Sequence, residues 1–109
     1  MINIAIVEDK ASESDKLKSH LERFQREKNV PLQYFLFQNA VSFLDQYRAQ
    51  YDIIFMDIEM PDMNGMEAAQ RLRAIDSSSI LIFVTHLAQF AVKGYEVDAM
   101  DYILKPVNY

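Results

Sequence analysis

Cysteine is absent from the 109 residues, and only two glycines and three prolines occur. Without cysteine there is no disulfide scaffold, no thiolate metal site and no cysteine nucleophile. With so few glycines and prolines, no linker, repeat or low-complexity segment stands out. Basic residues are the minority: 11 Lys and Arg face 16 Asp and Glu, for a formal charge of −5 and a pI near 4.9. That balance argues against the chain binding nucleic acid or an anionic membrane by itself, because both need a basic face to displace counterions. Long apolar runs are missing too; Ile80–Val84 falls far short of a bilayer span. The amino-terminal stretch reaches Glu8 and Asp9 without a basic leader or a cleavage site, so no secretory signal is read and a cytoplasmic location is expected. What remains, 50% apolar and 25% charged, suits one globular domain spanning 1–109.

Short apolar runs at Ile2–Val7, Tyr34–Phe37, Ile53–Met56, Ile80–Val84 and Tyr102–Leu104 are rich in β-branched and aromatic residues, as strands buried on both faces require. Helical spacing fills the intervals. Ser12 and Asp15 suggest a capping box ahead of Leu17, Leu21 and Phe24. Asn39 is placed to cap a stripe of Ala40, Val41, Phe43, Leu44 and Tyr47. Gly65–Ile75 carries Met66, Ala69 and Leu72 on one side, and Ala88–Tyr95 reads as a shorter helix. This alternation predicts an α/β fold, a doubly wound five-stranded parallel sheet with helices on both faces. One more helix is expected after Pro106, yet the sequence stops at Tyr109, so the last helix is read as truncated.

In open parallel sheets, ligands bind beyond the carboxyl ends of the strands. The first run ends in Glu8-Asp9, the third in Asp57, the fourth in Thr85 and the fifth in Lys105. Three carboxylates at one sheet edge repel one another, the more so in a low dielectric. Protonation is one relief of that repulsion and a hard cation the other, and oxygen ligands favour Mg²⁺ or Mn²⁺. Asp57 is then a carboxylate nucleophile able to form an acyl phosphate, with Lys105 and Thr85 to partner the phosphoryl oxygens.

Glu8-Asp9, the segment Phe55-Met-Asp57-Ile-Glu-Met-Pro-Asp-Met-Asn-Gly65, Val84-Thr85 and Asp101-Tyr-Ile-Leu-Lys-Pro106 together resemble the receiver domain of bacterial two-component response regulators. The resemblance spans essentially the whole chain. It implies a flavodoxin-like sheet in the order 2-1-3-4-5 and phosphorylation of Asp57 by the phosphohistidine of a sensor histidine kinase. It also implies a metal site formed by Glu8, Asp9, Asp57 and the backbone carbonyl of Glu59, a switch pair of Thr85 and Tyr102, and a cis Lys105–Pro106 bond. Residues 85–107 further resemble receivers attached to LytTR-type DNA-binding domains. On that analogy the full protein is a transcription factor, touching DNA only through an output domain not in this chain. Pairing of the receiver into a homodimer on phosphorylation is a further expectation.

Taken singly, several of these residues have plainer readings. Thr85 suits a helix N-cap, Tyr102 a core aromatic, and Gly65 the turn into a helix. The side chains of Glu59 and Asp62 are expected in solvent, as is His20. His86, a large residue directly after Thr85, is expected either to shield the acyl phosphate from water or to sit in solvent. A different function class, an aspartate-nucleophile phosphatase of haloacid-dehalogenase type, uses the same nucleophile. Such enzymes usually show Asp-x-Asp, whereas this chain has Asp57-Ile-Glu59. A flavodoxin-like nucleotide carrier fits less well, since Glu8-Asp9 would repel phosphate in the first loop. No turnover beyond self-phosphorylation and dephosphorylation is expected.

Overall fold

A computed structural model describes residues 1–106. The strands are β1 (Ile2–Val7), β2 (Leu32–Phe37), β3 (Ile53–Met56), β4 (Ile80–Thr85) and β5 (Asp101–Leu104). All pairings are parallel and the order across the sheet is β2-β1-β3-β4-β5. The order reverses between β1 and β3, the two strands that end in the acids.

Alternation within the strands divides the core into two layers. Ala5, Val7, Ile54, Met56, Leu81 and Phe83 face one side, where they pack on Phe43 of α2 (Ala40–Leu44) and on Met66, Ala69 and Leu72 of α3 (Gly65–Ile75). Ile4, Ile6, Phe55 and Val84 face the other side, with Leu17 of α1 (Ala11–Lys28). Both faces are thus apolar, which is why the strands read as near-continuous hydrophobic runs.

The expected elements hold with local corrections. β2 begins at Leu32, β4 includes Thr85, and β5 begins at Asp101. The capping box at Ser12 does not form: α1 starts at Ala11, and Lys10 precedes it without a side-chain cap. Asn39 caps α2 as expected, accepting from the Ser42 N–H at 2.7 Å, and Asn64 does the same for α3 from the Glu67 N–H at 2.9 Å. Helix α2 is shorter than its apolar stripe, because the backbone turns out of helical geometry at Asp45 (ψ 122°) and Gln46 (φ 54°). Tyr47 nonetheless joins the core through its ring. In place of a helix at Ala88–Tyr95 there are 3-10 turns at Ala88–Phe90 and Val92–Val97. That segment has no side-chain cap, and Val92 and Tyr95 face solvent, so it lacks the apolar stripe that holds a longer helix down. The helix expected after Pro106 lies outside the described residues. Among them, no helix is long and apolar enough to cross a membrane.

An aromatic group built from Phe35, Phe37, Phe43, Tyr47 and Tyr51 fills the α2 corner, with ring centroids 5.3–5.9 Å apart. Its closest polar anchor is the Tyr47 hydroxyl, which donates to Asp76 Oδ2 at 2.6 Å; the Tyr51 hydroxyl also accepts from Gln50 Nε2 at 3.3 Å. Asp76 Oδ1 accepts from the Ser78 N–H, the Ser78 hydroxyl and the Ser79 N–H. Burial alone would raise the Asp76 pKa, but these donors outweigh it and hold the carboxyl at about 2, below its ordinary 3.8. A carboxyl depressed by folding stabilises the fold above its unfolded value and loses that contribution as pH falls through the folded one. Asp76→Asn is therefore expected to lower stability by about 1–2 kcal/mol at neutral pH. Urea titrations should show the variant and parent converging as pH is lowered toward 2.

Candidate functional site

Register brings the acids together. Val7 pairs with Met56, so Glu8 and Asp57 leave neighbouring strands at the same level. The Asp57 N–H continues the ladder to the Val7 carbonyl at 3.0 Å. Ligand oxygens of Glu8, Asp9 and Asp57 lie within 4.8 Å of one another, and Glu8 and Asp57 are buried. Lys105, beyond the end of β5, reaches in with a side chain only 5% exposed. Its ammonium donates to Glu8 Oε1 and, at 3.3 Å, to Asp57 Oδ2. The peptide between Lys105 and Pro106 is cis.

Burial, aided by the Asp57 charge and opposed by donors from Lys105 and the Lys10 N–H, pushes Glu8 up to about 7. For Lys105, burial pulls the ammonium down, but the hydrogen bond to Glu8 and the carboxylate charges overcome it and hold its pKa above the ordinary value. The two shifts differ in origin: desolvation chiefly raises Glu8, whereas the carboxylates around it raise Lys105. Asp9 Oδ1 is buried and has no hydrogen-bond partner among the described residues. An orphaned carboxylate oxygen facing two further carboxylates is a donor set that a hard divalent cation fits.

The remaining expected residues lie around this cluster in different ways. Glu59 has an exposed side chain, and its N–H donates to Asp57 Oδ1 at 3.3 Å, which brings its backbone to the rim. Thr85 is fully buried at the end of β4; its hydroxyl oxygen accepts from the Leu87 N–H at 3.3 Å. Tyr102 is half-buried against Phe83, and its hydroxyl donates to the Leu87 carbonyl. The two switch candidates thus meet through the backbone of Leu87, a residue with no polar side chain to mark it in the sequence. His86 is exposed and lines a cavity of about 210 Å³ together with Asp57, Lys105 and His20. Glu13, on the first turn of α1, was also missed; its Oε2 lies 3.8 Å from the Lys105 ammonium.

Gly65 does more than open a turn. A Cβ at this position would lie 2.1 Å from the Asp57 carbonyl oxygen and 2.9 Å from Ile58 Cα. Its own N–H donates to the Ile58 carbonyl at 2.8 Å. The start of α3 therefore sits directly on the backbone that carries Asp57, an approach only glycine permits.

A doubly wound sheet with an acidic cluster and a lysine at its carboxyl edge defines a receiver-type phosphorelay fold. The chain belongs to the response regulator receiver domain family, whose profile matches residues 4–109. It is 37% identical over 108 residues to the sensory transduction protein LytT of Bacillus cereus, covering 99% of this chain and 43% of that protein. The chain thus spans under half the length of this curated relative. Among solved structures, a receiver domain protein of Methanospirillum hungatei superposes with a TM-score of 0.85 at 26% identity, covering 99% of this chain and 84% of the other. The response regulator TrrA of Thermotoga maritima, solved in complex with Mg²⁺ and a beryllofluoride, has a TM-score of 0.84 at 24% identity, with 99% and 90% covered. That likeness speaks for the fold. The phosphatase alternative gains no support from these relationships.

Gly65→Ala is expected to cost about 1–3 kcal/mol, because the atoms in the way are backbone and cannot swing aside. A lower midpoint in urea with an unchanged slope checks this.

Proposed function

We propose that this chain is the phosphoacceptor domain of a two-component response regulator, with Asp57 accepting a phosphoryl group from a sensor histidine kinase in a Mg²⁺-dependent reaction. The observation that carries the reading is the buried meeting of Glu8, Asp9 and Asp57 around Lys105, with Asp9 Oδ1 left unpartnered. Glu8, Asp9 and Asp57, with the backbone carbonyl of Glu59, would hold the ion; once bound, Mg²⁺ neutralises the acids and the equatorial phosphoryl oxygens. A carboxylate oxygen of Asp57 attacks phosphorus as the bond to the phosphohistidine nitrogen breaks, and the electron pair of that bond returns to the imidazole. Lys105 holds negative charge on the incoming group. Mn²⁺ suits the same oxygen donors.

Thr85 is placed to report the reaction. Its hydroxyl oxygen now accepts from the Leu87 N–H, and a rotation of the side chain that carries this oxygen toward a phosphoryl group would release that donor. Tyr102, bonded to the Leu87 carbonyl, would follow. The surface over this segment exposes Val92, Tyr95, Met100 and Leu104, an apolar face suited to pairing with a second phosphorylated copy. Similarity to LytT over this region, and the share of that protein's length left uncovered, support a longer cytoplasmic regulator whose LytTR-type output domain contacts DNA. Residues 1–109 would then be its receiver.

Incubation with Mg²⁺ and acetyl phosphate should add the mass of one phosphoryl group, mapped to Asp57. The adduct should be lost in Asp57→Asn and when the divalent ion is chelated; an adduct persisting in Asp57→Asn would refute the assignment. His86, at the mouth of the cavity beside Asp57, is proposed to slow water's access to the acyl phosphate. His86→Ala should lose the phosphoryl group severalfold faster than the parent, and equal or slower loss rules this role out.

A further inference from the structure

Lys105 sits among three carboxylates, and they are not equivalent. Glu8 and Asp57 belong to the cradle with Asp9, whereas Glu13 stands outside it on the first turn of α1. The ammonium does part of a cation's work, donating to Glu8 Oε1 and Asp57 Oδ2. Any divalent ion held by Glu8 and Asp57 must therefore compete with Lys105 for the same oxygens. Once those oxygens turn to the ion, the ammonium faces a like charge a few ångströms away, in a pocket where its side chain is only 5% exposed. Repulsion at that range is worth several kcal/mol even at an effective dielectric of about 20. Lys105 then needs a counter-charge that the ion does not use. Glu13 Oε2, 3.8 Å from Nζ with its side chain 24% exposed, supplies it.

We propose that Glu13 is a positioning residue that draws the Lys105 ammonium off Glu8 when a divalent ion binds, and so sets the affinity of the acidic cradle. The proposal rests on the Mg²⁺-dependent reading of the site. It makes Lys105 a resident competitor and Glu13 the place to which that competitor retires. Because Glu13 lies on α1 rather than on a strand end, its contribution is separable from the ligands themselves.

A double-mutant cycle read by calorimetric Mg²⁺ titration tests it, with the parent, Glu13→Gln, Lys105→Met and the double variant. Glu13→Gln should weaken Mg²⁺ binding about fivefold or more. Glu13→Asp, which keeps the charge, should restore part of the loss. Lys105→Met should tighten binding by removing the competitor, and on that background Glu13→Gln should change affinity little. An equal loss on both backgrounds would mean that Glu13 acts only through its general field, and an unchanged Glu13→Gln would remove its role; either result overturns the proposal while leaving the metal site standing. Absence of Mg²⁺ binding by the parent would instead overturn the metal reading and this proposal with it.

Discussion

Everything at the carboxyl edge of the sheet follows from the crowding of like charge around a single ammonium. Two carboxylates about 4 Å apart repel by roughly 4 kcal/mol at an effective dielectric of 20. The fold holds three of them within 4.8 Å, two buried, because the pairing of Val7 with Met56 leaves Glu8 and Asp57 no other place to go. Neither residue escapes by rotating into solvent: the Lys10 N–H holds Glu8 Oε2 at 3.1 Å, and the Glu59 N–H holds Asp57 Oδ1. Gly65 pins the backbone beneath from the other side. Such an arrangement is a poor way to stabilise a domain and a good way to prepare a site for a dication and a phosphoryl group, the usual trade between stability and function. The raised pKa of Glu8 reflects chiefly its burial, with the charge of Asp57 adding to it.

How much of this was legible in the sequence depended on whether the information lay in side-chain type or in backbone contact. The β-branched and aromatic runs located the strands, and the residues just past them named Glu8, Asp9, Asp57, Thr85 and Lys105, because a doubly buried strand must end where polar residues begin. Ser12 misled, since a hydroxyl followed three positions later by an acid fits the capping pattern whether or not the backbone turns there; the chain turned at Lys10 instead. The Ala88–Tyr95 segment has roughly helical spacing, but Val92 and Tyr95 point to water while Phe90 packs on the core, and spacing alone does not distinguish those cases. Leu87 acts through its N–H and carbonyl, which every residue but proline possesses. Glu13 looks like an ordinary acid favoured by the helix dipole until Lys105 is placed beside it.

These differences divide the domain into a firm half and a loose half. The acids rise from β1 and β3, interior strands flanked on both sides and closed over by two apolar layers. Thr85 stands at the border, fully buried on β4. Beyond it the chain runs through short 3-10 turns, with i→i+3 bonds of 3.2–3.3 Å, to the edge strand that carries Tyr102. Poorer bond geometry and exposed apolar side chains place that stretch at the low end of local stability. One strong tether crosses to it: Arg73 of α3 donates to the Val97 carbonyl at 2.6 Å and to the Asp98 carbonyl at 3.1 Å. The far end of the segment is thus fastened to the core by Arg73, while at its near end Leu87 and Phe90 pack against the core and Leu87 is bonded to Thr85 and Tyr102. A change of partner at Thr85 therefore acts on the backbone of Leu87 at the start of this segment. Two hydrogen bonds to the backbone of Leu87 therefore join the end of β4 beside Asp57 to the edge strand that carries Tyr102.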